Sequence, residues 1–343
     1  MLLVLGLAAA VWGAGLVFGA SRRARGTVVA GLLALVLLGQ LVLPFGHPLR
    51  EATGGSPVPW LLLLGFGALA ALYGTGVAAL RRRARTDVSP RDTPLFSETE
   101  LDRYARHIVL RELGGPGQKR LKQARVLVIG AGGLGAPALQ YLAAAGVGTI
   151  GVIDDDLVEN ANLQRQVIHA DAAIGTPKVF SAQKAMQAQN PFVSVHPYHR
   201  RLNEDVAADL FADYDLILDG TDNFETRYLA NRVAAAQDKP LISGALSQWE
   251  GQLSVFDPAR GGPCYQCVFP QAPAPGLAPS CAQAGVVGPL PGVVGAMMAV
   301  EAVKLITGAG EVLRGDMLIY DALYGETRKI RLKKRPDCPV CSA

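Results

Sequence analysis

An open α/β sheet preceded by three transmembrane helices is the architecture this 343-residue sequence predicts. Three observations predict it: strand-like apolar runs alternate with helical stretches from residue 97 onward, a glycine-rich turn joins the first such strand to its helix, and three charge-free apolar runs precede them. Composition agrees, with half the residues hydrophobic and 18% charged, against about 25% charged in an ordinary soluble domain. A disordered chain is excluded, and five cysteines are too few for a disulfide-stapled one. The net charge of +4 is unevenly divided. In residues 1–85, Arg22, Arg23, Arg25, Arg50, Arg81, Arg82, Arg83 and Arg85 face one acid, Glu51, and the remainder is slightly acidic. The basic balance belongs to the N-terminal segment and gives no case for nucleic-acid binding.

The apolar runs are residues 2–20, 27–45 and 60–80, each near the roughly 20 residues a spanning helix requires. No Lys or Arg precedes the first run and no A-x-A-like site ends it, which argues against a cleaved signal peptide. Arginines cluster in 21–26 and after the third run, while 44–59 carries one arginine and one acid. The positive-inside rule then puts the N-terminus outside and residue 81 onward in the cytoplasm. The expected protein is a multi-pass inner-membrane protein: an anchor over 1–85, with Trp60 at the bilayer surface, a Pro-containing linker over 86–96, and a cytoplasmic domain over 97–343.

Within that domain Ser97-Glu-Thr-Glu100 has the capping-box pattern and opens a helix over 98–111. Strands are expected at 125–129, 149–153, 193–197, 215–218, 240–244, 252–257 and 318–321. Helices are expected from the glycine turn to 145 and at 178–189, 205–211, 224–237 and 295–307.

Gly130-x-Gly132-x-x-Gly135 follows the first strand and opens a helix, and Asp154 ends the next strand about 20 residues on, the dinucleotide fingerprint in context. Glycines allow a tight turn and close backbone approach, the helix N-terminus receives phosphate, and the carboxylate holds a ribose hydroxyl. The domain is therefore Rossmann-like. The motif reports phosphates and a ribose, and does not by itself specify hydride chemistry.

Further segments narrow the chemistry: Arg103-Tyr-Ala-Arg-His107, Asn162-Leu-Gln-Arg-Gln166, Gly175-Thr-Pro-Lys178, Asp219-Gly-Thr-Asp-Asn223, Glu250-Gly-Gln252 and two Cys-x-x-Cys pairs. In this order they resemble the MoeB/ThiF/HesA group of adenylyltransferases that activate ubiquitin-like sulfur carriers, relatives of the ubiquitin-activating enzymes. The pattern is closest to molybdopterin-synthase adenylyltransferase, which implies a role in molybdenum cofactor biosynthesis. The resemblance covers residues 102–343 and does not extend to the membrane segment. It implies an adenylation fold and ATP-dependent adenylation of the C-terminal glycine carboxylate of a small sulfur carrier ending in Gly-Gly. It also implies ATP contacts from Gly133, Asp154, Asn162, Arg165, Lys178, Asp222 and Asn223, and a homodimer in which Arg106 reaches the partner's site. The residue chemistry agrees. Joining a carboxylate to a triphosphate requires cations for the charge developing at the α-phosphate, here Arg165 and Lys178, and a carboxylate for Mg2+, here Asp222. Taken singly, Arg165 and Lys178 read as surface charges and Asp222 as a helix cap. Neither Lys178 nor Asp222 is expected in the core.

Cys264, Cys267, Cys338 and Cys341 form the two pairs, and four thiolates suit a closed structural Zn2+ site clipping the C-terminal segment to the domain. Cys281 lies in a Pro- and Gly-rich loop. In some members of the group a cysteine near this position bonds covalently to the carrier or carries sulfur, implying a sulfurtransferase partner, and in others it is dispensable. The five histidines lack ligand spacing. Two rival readings remain at this stage. An NAD-dependent oxidoreductase leaves Arg165, Lys178, Asp222 and the cysteine pairs without a role. A non-catalytic membrane-anchored nucleotide-binding platform keeps the fold without the activity.

Overall fold

The computed structural model describes residues 2–86, 95–274 and 284–342, and the chain divides into two units, residues 1–94 and 95–343. The first is helical: α1 (Leu2–Val17), α2 (Arg22–Val42), α3 (Pro48–Ala52) and α4 (Val58–Thr86). Leu35, Leu38, Leu61, Leu69 and Leu72 face outward, the reverse of a water-soluble helix bundle and what hydrocarbon surroundings demand. The apolar stretches Ala24–Val42 and Val58–Val77 are long enough to cross a membrane, and α1 is a shorter apolar helix. One expectation changes here. Ser21 caps α2 by accepting a hydrogen bond from Ala24 N at 3.2 Å, so Arg22, Arg23 and Arg25 form the first turns of that helix rather than a loop. Trp60 is buried, its indole donating to Thr53 O at 3.1 Å, and so fastens the 43–59 connection.

The second unit carries an eight-stranded sheet: β1 (Arg125–Ile129), β2 (Thr149–Ile153), β3 (Ser194–Tyr198), β4 (Leu216–Asp219), β5 (Leu241–Leu246), β6 (Glu250–Phe256), β7 (Asp316–Asp321) and β8 (Glu326–Arg331). Their order is β3-β2-β1-β4-β5-β6-β7-β8. The first five run parallel and the last three are antiparallel. Side-chain alternation along β1 divides the core. Val126 and Val128 join the cluster under α8 (Gly135–Ala145), while Leu127 and Ile129 join the one under α10 (Glu204–Ala212) and α11 (Phe224–Ala236). Among the described residues of this unit the remaining α-helices are α5 (Glu98–Arg103), α6 (Ala105–Ile108), α7 (Gly114–Gln123), α9 (Lys178–Gln189), α12 (Tyr265–Val268) and α13 (Pro289–Thr307). α13 is as apolar and as long as a membrane span, yet half of it is buried, against α8, β5 and β6. Its hydrophobicity belongs to the core.

The capping box forms, with Ser97 N donating to Glu100 Oε2 at 3.0 Å and Glu100 N donating to Ser97 Oγ at 3.2 Å. The helix expected over 98–111 instead breaks at Tyr104, which is buried against Gly146 and accepts a hydrogen bond from Asn190 Nδ2. α7 and β8 were not anticipated. α7 begins Gly-Gly-Pro-Gly, poor helix formers that packing of Gln118 and Leu121 overrides. β8 has all six residues exposed, so it lacks a buried apolar face, and the turn before it fixes it instead: Asp321 Oδ1 accepts from Leu323 N and Tyr324 N.

Candidate functional site

The strand order reverses between β1 and β4, so the segments leaving their C-terminal ends diverge and open a crevice there. A cavity of about 640 Å³ occupies it. Gly130 leaves β1 at φ +91°, a conformation that favours glycine, and a Cβ on Gly135 would lie 1.8 Å from Gly130 O. These two requirements account for the first and last glycines of the motif. Asp154, at the end of β2, steadies the loop: its Oδ2 accepts from Ala131 N at 2.7 Å and its Oδ1 from Asp156 N at 2.8 Å. Burial pushes its carboxyl above the ordinary aspartate range, against the pull of Lys178 and those two N–H groups.

The sequence-predicted residues converge on this cavity. Gly130, Gly132, Gly133, Asp154, Asn162, Arg165, Lys178, Asp222 and Asn223 all line it, and Gly135 opens α8 beside it. Arg165 is held by Asn162 Oδ1 at 3.1 Å and Ala161 O at 3.2 Å. Lys178 departs from expectation. It is buried, and its Nζ donates to Asp156 Oδ2 at 2.6 Å. Asp222 is exposed, as expected, and the cap of α11 is its neighbour Asn223, whose Oδ1 accepts from Thr226 N at 2.9 Å. Capping therefore does not explain Asp222. Arg106 is exposed on α6 and is not among the residues lining the cavity. Cys281 lies outside the described residues.

Two supporting residues escaped the sequence reading. Arg227 is buried beneath the loop that follows β4. It pairs with buried Asp219 (Nη1 to Oδ2 3.7 Å) and donates to Ser243 Oγ, Gly244 O and Thr221 O. Asp219 in turn accepts from Thr221 N and Thr221 Oγ1. The available signal was an arginine in register with Ala230 and Ala234, on the buried face of α11. His169 has no ligand spacing in the sequence and is buried beneath the glycine loop, with Nε2 2.9 Å from Ala131 O and Nδ1 3.0 Å from Ser181 Oγ. A carbonyl only accepts, so Nε2 carries the proton and Nδ1 accepts from the serine.

Burial and the Lys178 charge, against the Ala131 hydrogen bond, lower the His169 pKa below its ordinary 6.5. As pH falls the unfolded chain therefore takes up this proton first. The stability linked to His169 is complete above about pH 6.5 and declines as pH drops toward the lowered native pKa. Thermal midpoints measured between pH 7.5 and 5.5 should fall in the parent and fall less in His169→Gln. Equal slopes would remove His169 as the cause.

The four cysteines also converge. Their sulfurs lie within 4.8 Å of one another, with Cys264–Cys338 at 3.6 Å, Cys267–Cys341 at 3.4 Å and Cys264–Cys267 at 3.9 Å. These are not disulfide lengths. They match the edges of about 3.8 Å in a tetrahedron with metal–sulfur bonds of roughly 2.3 Å. Arg335 N points at Cys267 Sγ (3.4 Å), a contact that stabilises a thiolate. The cluster can hold a metal ion. Between the first pair, Tyr265 packs under Phe256 and Tyr228 and lines the cavity.

Two cations and an exposed carboxylate around a glycine loop suit the phosphates of a nucleotide, and the fold and cavity are those of α/β nucleotide-binding proteins. Which of these is decided by sequence: the ThiF family matches residues 104–340, and the chain belongs to that family. It is 50% identical over 250 residues to the sulfur carrier protein adenylyltransferase of Thermus thermophilus, a match covering 72% of this chain and 92% of that protein. It is 53% identical over 247 residues to the probable adenylyltransferase/sulfurtransferase MoeZ of Mycobacterium tuberculosis, covering 71% of this chain and 63% of that longer protein. Among solved structures, E. coli MccB with MccA-N7isoASN superposes with a TM-score of 0.63 at 21% identity, over 73% of this chain and 76% of that one, and shares its fold.

Proposed function

We propose that this protein adenylates the C-terminal glycine carboxylate of a small ubiquitin-like sulfur carrier, of molybdopterin-synthase or thiamine type, using ATP and releasing pyrophosphate. The observation that carries the reading is the convergence of Arg165, Lys178 and Asp222 on the cavity floored by the glycine loop. ATP lies with its phosphates along the loop and its ribose toward Asp154. The carrier carboxylate is already a nucleophile, so no general base is required. Catalysis consists of holding its oxygen in line with the α-phosphate while Arg165 and Lys178 offset the charge of the departing pyrophosphate. Asp222 is the residue suited to hold Mg2+, which would neutralise phosphate charge. The test is carrier-dependent exchange of labelled pyrophosphate into ATP, and its absence with every candidate carrier would sink the reading.

Two further elements belong to this proposal. Arg106, exposed and away from its own cavity, completes the site of a second protomer in a homodimer. The cysteine cluster holds a structural Zn2+ that joins the 338–341 segment to α12, and in doing so fixes Tyr265 against the cavity. We expect about one zinc per chain in purified protein, lost with a lowered thermal midpoint in Cys338→Ser. An iron–sulfur absorbance, or no metal in protein kept reduced, contradicts this.

The helices α1, α2 and α4 anchor the chain in the cytoplasmic membrane, with the N-terminus outside and the α/β domain inside. The distribution of arginines supports that orientation. A tag at residue 1 should be reachable from outside intact cells and one after residue 343 only after lysis, and the reverse pattern would reject the topology.

A further inference from the structure

The most unusual charge in the cavity is that of Lys178. It is the first residue of α9, where the helix dipole disfavours a cation, and its side chain is 5% exposed. A buried ammonium in that place needs an anion beside it. The anion is Asp156, bonded to Lys178 twice, Nζ to Oδ2 at 2.6 Å and backbone N to backbone O at 3.0 Å. The two partners are unequal. The Asp156 side chain is 66% exposed, so its carboxylate can turn into water at little cost, whereas Lys178 cannot leave. Asp156 N is also tied to Asp154 Oδ1, whose other oxygen holds the glycine loop at Ala131 N. One short segment thus joins the loop that would cradle phosphates to the cation that would meet them.

We propose that Asp156 is a positioning residue that acts as a stand-in for phosphate: it holds Lys178 Nζ at the cavity wall, yields it to the entering triphosphate, and takes it back when pyrophosphate leaves. The proposal rests on the nucleotide reading above and deepens it. Because Asp156 competes with phosphate for one ammonium, removing its charge tightens every polyphosphate. Asp156→Asn is expected to bind ATP and inorganic pyrophosphate about fivefold more tightly than the parent, the worth of a partly exposed charge pair. The same variant should show a lower KM for ATP together with a lower kcat for carrier adenylation, because the product is held longer.

The experiment is calorimetric titration of the full chain in detergent with ATP and, separately, with pyrophosphate, for the parent, Asp156→Asn and Asp156→Glu. Asp156→Glu, which keeps the charge, should return both affinities toward the parent values. A purely structural role would weaken both ligands and lower the thermal midpoint. A metal-binding role would weaken ATP and raise the Mg2+ requirement. Either result, or unchanged affinity, overturns the proposal. A parent protein that binds neither ATP nor pyrophosphate would instead sink the nucleotide reading, and this proposal with it.

Discussion

Asp222→Ala is expected to lower carrier-dependent pyrophosphate exchange by about 10²- to 10³-fold, because it removes the carboxylate suited to hold the Mg2+ that would neutralise phosphate charge. Its thermal midpoint should stay at the parent value, because Asp222 is exposed and does not cap α11. Lys178→Ala should lose as much exchange, but not silently. Its side chain is buried at the start of α9, so truncation removes packing as well as charge. Lys178→Met keeps the packing and separates the two effects. Exchange at near-parental rate in either Asp222→Ala or Lys178→Met would mean that the adenylation site lies elsewhere.

The largest stability effect should come from a residue that touches no substrate in this scheme. Arg227→Ala strands the Asp219 carboxylate, 1% exposed, without its cation. Breaking a buried pair in this way costs about 3–5 kcal/mol. The loop carrying Thr221 and Asp222 would also lose its anchor, since Arg227 binds Thr221 O. Denaturant unfolding should show the loss directly. The double variant Asp219→Asn/Arg227→Leu, which removes both charges, should recover much of it. If Arg227→Ala unfolds at the parental denaturant midpoint, the pair does not carry the loop.

What the sequence made legible here was local. The glycine turn and each Cys-x-x-Cys pair depend on residues a few positions apart, Asp154 follows the turn by one helix and one strand, and these residues meet in the fold. Strands β1, β2, β4 and β5 were legible because burial on both faces leaves unbroken apolar runs. What stayed hidden depended on partners that no motif spacing announces. Tyr104 breaks its helix because of Gly146 and Asn190, far along the chain. Lys178 reads as a surface cation until β2 delivers Asp156 beside it. Arg227 acquires its meaning only when β4 and β5 bring Asp219 and Ser243 within reach.

The outer strand of the sheet has a consequence for how two copies can meet. A free strand edge is an open invitation to a second sheet, and two copies of β8 aligned antiparallel would be the simplest way to satisfy it. β8 answers with Arg328, Lys329 and Arg331 against the single acid Glu326. Cations would stand opposite cations across such a seam, an arrangement that destabilises strand pairing. Pairing of two copies through β8 is thereby disfavoured. In the homodimer proposed above, α6, with Arg106 exposed upon it, is where an arginine could cross from one copy to the other.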